Sequence, residues 1–206
     1  MSIQTVNPTT GEVIKSYDEM STQAVDKIIS QVNDAQLKWR ETPIVKRADY
    51  LNKVAQVLEK NKEQYATLIA LEMGKPISAG RKEIDKCASV CRYYADNGEA
   101  FLKPREIKTE MRSSQVHYNP IGIIFSIMPW NFPFWQVLRF AAPNLVAGNA
   151  AILSHAPIST GASLALEALF TEAGLPENVF RSVIINNDVA KHIIEHPKVR
   201  GVTITG

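Results

Sequence analysis

The 206-residue chain has two cysteines, Cys87 and Cys91, standing four apart in IDKCASVCRYYAD. That number and spacing exclude a disulfide framework and give no zinc site, and no metal is expected. No uncharged apolar run reaches the roughly 18 residues of a membrane-spanning helix. The opening MSIQTVNPTTGEVIKSYDEM lacks the basic start and apolar core of a signal peptide. An excess of one charge is missing too: 23 basic residues face 21 acidic ones, giving a net charge of +2. The basic residues are scattered, so neither a nucleic-acid footprint nor a membrane-surface patch is expected. Also absent are an internal repeat and the G-x-G-x-x-G fingerprint of the usual dinucleotide fold. What remains, with 45% hydrophobic and 21% charged residues, has the composition of a globular protein, expected to be cytoplasmic.

The first half reads as helical. After turn signals in NPTTGEV between two short strands, Ser21 is placed to cap a helix with Val25, Ile28, Ile29, Val32, Ala35 and Trp39 on one face. A second helix over 45–61 turns Ala48, Leu51, Val54, Ala55 and Leu58 inward, and a third stops at Gly74 and Pro76. A fourth carries Ile84, Cys87, Cys91 and Tyr94 as an apolar stripe, which makes the cysteines core thiols rather than reactive ones.

The pattern changes near Pro104. Residues 104–121 lack helical periodicity and read as a surface strand pair. IGIIFSIM then reads as a buried strand, and Pro133 fits the first turn of a helix with Val137, Leu138 and Phe140. Beyond Gly148, strands NAAILS, VFRSVII and VRGVTIT alternate with helices SLALEALFTEAG and VAKHIIEH. That alternation predicts βαβ units in a parallel sheet, with ligands at the carboxyl ends of the strands. The last strand has no crossover after it, so one side of it is expected to want a cover.

IMPWNFPFWQVLRF, residues 127–140, sets one amide (Asn131) and one cation (Arg139) among aromatic residues and prolines. Asn131 reads equally well as a helix cap or as a pocket donor. Arg139, eight positions on, could share a pocket with it across two helical turns, or extend to solvent from a surface helix. Pro129, Trp130 and Phe132 read as water-excluding pocket walls or as plain core.

PWNFP at 129–133, GNAAILSHAP at 148–157, the TG after an apolar strand, and the earlier NPTTGEV and EMGKP resemble the aldehyde dehydrogenase superfamily. The resemblance covers essentially the whole chain and is nearest to bacterial succinate-semialdehyde dehydrogenases. It implies an α/β fold: a Rossmann-like parallel sheet with helices on both faces, preceded by a helical segment and a small strand pair. Residues 1–103 would be the helical part of the cofactor domain, 104–121 strands of an oligomerisation region, and 122–206 the Rossmann-like NAD(P)-binding part. The family's nucleophilic cysteine and base glutamate would lie beyond this chain, leaving residues 1–206 inactive alone. In such enzymes a thiolate adds to an aldehyde, hydride passes to nicotinamide, and a thioester is hydrolysed.

Carried over by position, the resemblance makes Asn131 the oxyanion donor and Arg139 the partner of the substrate's distal carboxylate, with Trp130 and Phe132 beside the substrate. Ile127, Met128, Pro129, Trp130, Ser154, Pro157, Thr205 and Gly206 become cofactor positions. Ser154 stands where the family has a lysine for the ribose, and Pro157 where NAD-specific members have a glutamate, so NAD or NADP is expected. His155 is expected to support the site or face solvent rather than to act as a base. A small-molecule aldehyde is the implied partner, and a homodimer or homotetramer the implied assembly.

Overall fold

The structure is a computed structural model that describes residues 2–206. Asn7 opens the turn foreseen in NPTTGEV: its carbonyl accepts from Gly11 N–H at 2.8 Å, and its own N–H donates to Glu12 at 2.9 Å. Gly11 has φ +75°, where a side chain is disfavoured. The turn joins β1 (Ser2–Val6) to β2 (Val13–Asp18) as an antiparallel pair. Ser21 caps α1 (Thr22–Trp39), its Oγ accepting from Ala24 N–H. Then come α2 (Ile44–Lys60), α3 (Lys62–Met73) and α4 (Ile77–Leu102), with Gly74 in the left-handed conformation at the end of α3. The strand pair foreseen in 104–121 shrinks to β3 (Arg105–Glu106) and β4 (Gln115–Val116), two exposed residues each.

A four-stranded parallel sheet follows, from β5 (Ile123–Met128), β6 (Ala150–His155), β7 (Phe180–Val183) and β8 (Val199–Ile204) in the order β7-β6-β5-β8. Its crossovers are α5 (Trp135–Val146), α6 (Thr160–Glu172) and α7 (Asn187–Glu195). Side chains alternate across the pleat. Ala151, Leu153 and Met128 join the core beneath α2 to α6, whereas Ile123, Phe125 and Ile152 pack with α1 and α7 on the other face. Two-sided cover explains why β5 and β6 read as unbroken apolar runs. The edge strand β8 is the exception: Val202 and Ile204 are 44% and 71% exposed. Cys87 and Cys91 lie in the core, as their stripe predicted.

Two expectations are refined and one is corrected. On α1 the inward face carries Gln36 as well, buried beside the partly buried Ala35, with its amide donating to the Gly148 carbonyl at 3.1 Å. Pro133 lies inside a helical turn that leads into α5, closed by Gln136 N–H donating to the Phe132 carbonyl at 3.0 Å, although the regular helix begins at Trp135. Glu83 of α4 caps this end by accepting from the N–H groups of Phe134 and Trp135, which have no partner within the helix. Asn131 therefore stands outside the helix that carries Arg139, and the two are not successive turns of one face.

Helix α5 is clamped at both ends. At its carboxyl end Trp39 Nε1 donates to the Leu145 carbonyl at 3.0 Å and Arg47 Nε to that of Val146 at 2.8 Å. A carboxylate at the amino end and a guanidinium at the other both complement the helix dipole. The element that carries Arg139 is thus fixed by residues from α1, α2 and α4.

Candidate active site

In the order β7-β6-β5-β8 the chain steps one way from β5 and then returns to its other side. Such a reversal opens a crevice outside the carboxyl ends of the strands on either side of it. Here those strands are β5 and β8. Ile127 pairs with Ser154 on one side and Ile204 on the other, and Met128 with His155. Thr205 N–H donates to the Ile127 carbonyl at 3.1 Å. Ile127, Met128, Pro129, Ser154, Thr205 and Gly206 therefore gather at one edge, although the sequence scatters them over 80 positions. Pro157 sits a step further out, starting a short 3-10 turn that leads into α6. The Ser154 hydroxyl is half-buried and makes no hydrogen bond to any described residue.

Asn131 is exposed and its side-chain amide has no hydrogen-bond partner among the described residues, so it caps nothing. Its turn, by contrast, is held at several points. Lys75 Nζ donates to the Asn131 carbonyl at 3.1 Å, and His155 Nε2 lies 3.0 Å from that of Pro133. The ammonium of Lys75 also stands 3.6 Å from the Phe132 ring centroid and 2.6 Å from Glu83. Arg139 points along the same edge, and its Nη2 donates to Thr205 Oγ1 at 3.5 Å. Pro143 has no N–H for the Arg139 carbonyl, which leaves the α5 ladder open at that residue.

Trp130 and Phe132 do not form a dry wall in this chain: they are 51% and 43% exposed. The reason is the position of the turn at the open edge of the sheet, where nothing within residues 2–206 covers it. The thiols are the reverse case. Both are fully buried, and burial is the main cause that pushes Cys87 and Cys91 above the ordinary thiol range. They are not poised as nucleophiles. Among the described residues there is no cluster of three metal-ligating side chains, and no helix is long and apolar enough to cross a membrane.

Sequence reading missed Lys75, Glu83, Gln36, Arg47 and Glu72. Lys75 was visible only as part of a helix stop, EMGKP. Glu83 carried a usable signal: it stands four before Cys87 and so extends the apolar stripe of α4, where an unpaired carboxylate would be costly. Glu72 caps α6 by accepting from Gly161 and Ala162 at 2.8 and 3.0 Å.

The profile of the aldehyde dehydrogenase family matches residues 1–206. The chain belongs to that family. It is 38% identical over 206 residues to a probable NADP+ succinate-semialdehyde dehydrogenase of Synechocystis, covering all of this chain and 45% of that protein. Among solved structures it is similar to a succinic semialdehyde dehydrogenase of Streptococcus pyogenes in complex with NADP+. The TM-score is 0.96 at 31% identity, over 99% of this chain and 45% of that one. It also resembles an NAD-dependent benzaldehyde dehydrogenase of Corynebacterium glutamicum, with TM-score 0.92 at 25% identity, over 100% and 46% of the two chains. The chain thus spans about half the length of these relatives.

Proposed function

We propose that the protein carrying this chain oxidises an aldehyde to a carboxylic acid with NADP+ or NAD+, and that its substrate is succinate semialdehyde. The carrying observation is the placement of Arg139 on a clamped helix, with its guanidinium reaching Thr205 at the mouth of the β5/β8 crevice. A planar cation there suits the distal carboxylate of such a substrate, which a neutral aldehyde lacks. The exposed, uncommitted amide of Asn131 is the donor for the oxygen that becomes negative as the aldehyde is attacked. Trp130 and Phe132 flank the substrate.

Ile127 to Trp130, Ser154, Pro157, Thr205 and Gly206 supply the cofactor crevice, and the bound nicotinamide supplies a hydride acceptor. Pro157 carries no charge to repel a 2′-phosphate, which favours NADP+ as an acceptable cofactor. With Cys87 and Cys91 buried and hard to ionise, the nucleophile comes from outside residues 1–206. In this reading residues 1–103 and 122–206 share the cofactor unit. The 104–121 hairpin serves contacts between copies in a dimer or tetramer, and the protein works in the cytoplasm.

The test compares succinate semialdehyde with benzaldehyde in the protein expressed from its complete reading frame. Arg139→Ala is expected to raise KM for succinate semialdehyde by about 10- to 100-fold, the loss of a charge-assisted pair, and to leave benzaldehyde kinetics unchanged. An unchanged KM would overturn the carboxylate assignment. Residues 1–206 alone are expected to form no NADPH.

A further inference from the structure

Lys75 belongs to EMGKP, a segment whose role as a helix stop does not require a cation. Its ammonium is nevertheless sequestered, with the Lys75 side chain 14% exposed and its partner Glu83 0% exposed. Burying such a pair gives little net stability, since desolvation offsets most of the attraction. An apolar pair of similar volume would pack as well.

What apolar groups could not do is bind polar backbone, and both members of the pair bind the backbone of one turn. Glu83 Oε2 holds Lys75 at 2.6 Å, while its Oε1 accepts from the N–H groups of Phe134 at 2.9 Å and Trp135 at 3.1 Å. Lys75 in turn donates to the Asn131 carbonyl at 3.1 Å and covers the Phe132 ring at 3.6 Å. Four of the five residues 131–135, all but Pro133, are thereby referred to one carboxylate on α4. The Asn131 side chain has no hydrogen bond of its own among the described residues, so the backbone that Lys75 holds sets the point and direction from which its amide extends.

We propose that Lys75, anchored by Glu83, is a positioning residue for Asn131: it orients the amide that stabilises the developing oxyanion. This rests on the catalytic reading of Asn131 given above. Misplacing a catalytic group by about 1 Å can cost on the order of 100-fold in rate. A fault in orientation affects the donor in the transition state more than ground-state binding, so it is read in kcat rather than KM.

The experiment is a double-mutant cycle in the protein expressed from its complete reading frame, with succinate semialdehyde and NADP+. Asn131→Ala is expected to lower kcat by about 10²- to 10³-fold. Lys75→Met should lower kcat by about 10- to 100-fold, with KM changed less than about twofold. On the Asn131→Ala background Lys75→Met should add less than about twofold, because the group it orients is gone. Glu83→Gln keeps an acceptor oxygen for the two amides but removes the charge that anchors Lys75. It should reproduce the kcat-only loss, and it replaces Lys75→Met if that variant does not fold. Equal losses in both backgrounds, or a Lys75→Met enzyme with unchanged kcat beside an impaired Asn131→Ala, would overturn the positioning role while sparing Asn131. An Asn131→Ala enzyme with unchanged kcat would overturn the catalytic reading and the positioning role with it.

Discussion

His155 ties the end of β6 to the turn that carries Asn131, its Nε2 standing 3.0 Å from the Pro133 carbonyl. A carbonyl oxygen only accepts, so Nε2 carries the proton and donates. Nδ1 is then the acceptor for Ala156 N–H at 3.0 Å. The imidazole is held neutral in one tautomer, and burial, the main cause, keeps it below its ordinary value despite the opposing Pro133 and Met128 carbonyls.

That depression makes stability depend on pH in a definite direction. On acidification the unfolded chain takes up the proton first, near pH 6.5. The contribution is complete above that value and is lost as pH falls through it towards the lower folded value. Resistance of the wild type to urea should therefore weaken below about pH 6.5. His155→Gln cannot titrate but can still donate to Pro133, so it should show a shallower decline. An identical slope in the variant would count against this account.

The two thiols yield a labelling prediction. With both buried and their ionisation opposed by burial, a disulfide reagent at pH 8 should leave Cys87 and Cys91 of the native chain unmodified. In concentrated urea both should react within the mixing time. Rapid labelling of either cysteine under native conditions would contradict their place in the core.

Gly161 and Glu72 leave no room for a methyl group. A Cβ on Gly161 would lie 2.5 Å from Glu72 Oε1 and 3.3 Å from Leu68 Cδ1. Gly161→Ala should destabilise the chain by roughly 1–3 kcal/mol, the usual range for overpacking, measured as a lowered urea midpoint. Pairing it with Glu72→Ala restores space, so the double variant should lose less than the sum of the single ones.

The sequence was most informative where one periodicity governs one element. The stripe of Ile84, Cys87 and Cys91, the Ser21 cap and the apolar runs of β5 and β6 each follow from local pattern, and all are present. The gathering of Ile127, Ser154 and Thr205 at one edge also follows, once the strands are taken as parallel. What local pattern could not show was long-range hydrogen bonding by polar side chains. Glu83 caps α5 from another helix, and Gln36 joins Ala35 on the inward face of α1 because of a carbonyl 112 positions away. Such partners come together only through the tertiary fold. The relation of Asn131 to Arg139 went wrong for the same reason, since their spacing had been read as helix where a turn intervenes.

The caps have a consequence for anions. Each of the three helices that follow β5, β6 and β7 begins with backbone N–H groups already engaged by the protein's own side chains: Glu83 on α5, Glu72 on α6 and Asn186 on α7. Two of those caps are carboxylates, so a phosphate approaching α5 or α6 finds donors of the helix end already taken. Either carboxylate would have to give way before those amides could turn to a pyrophosphate. The missing G-x-G-x-x-G is then the sequence trace of a sheet edge whose usual phosphate seats are filled from within.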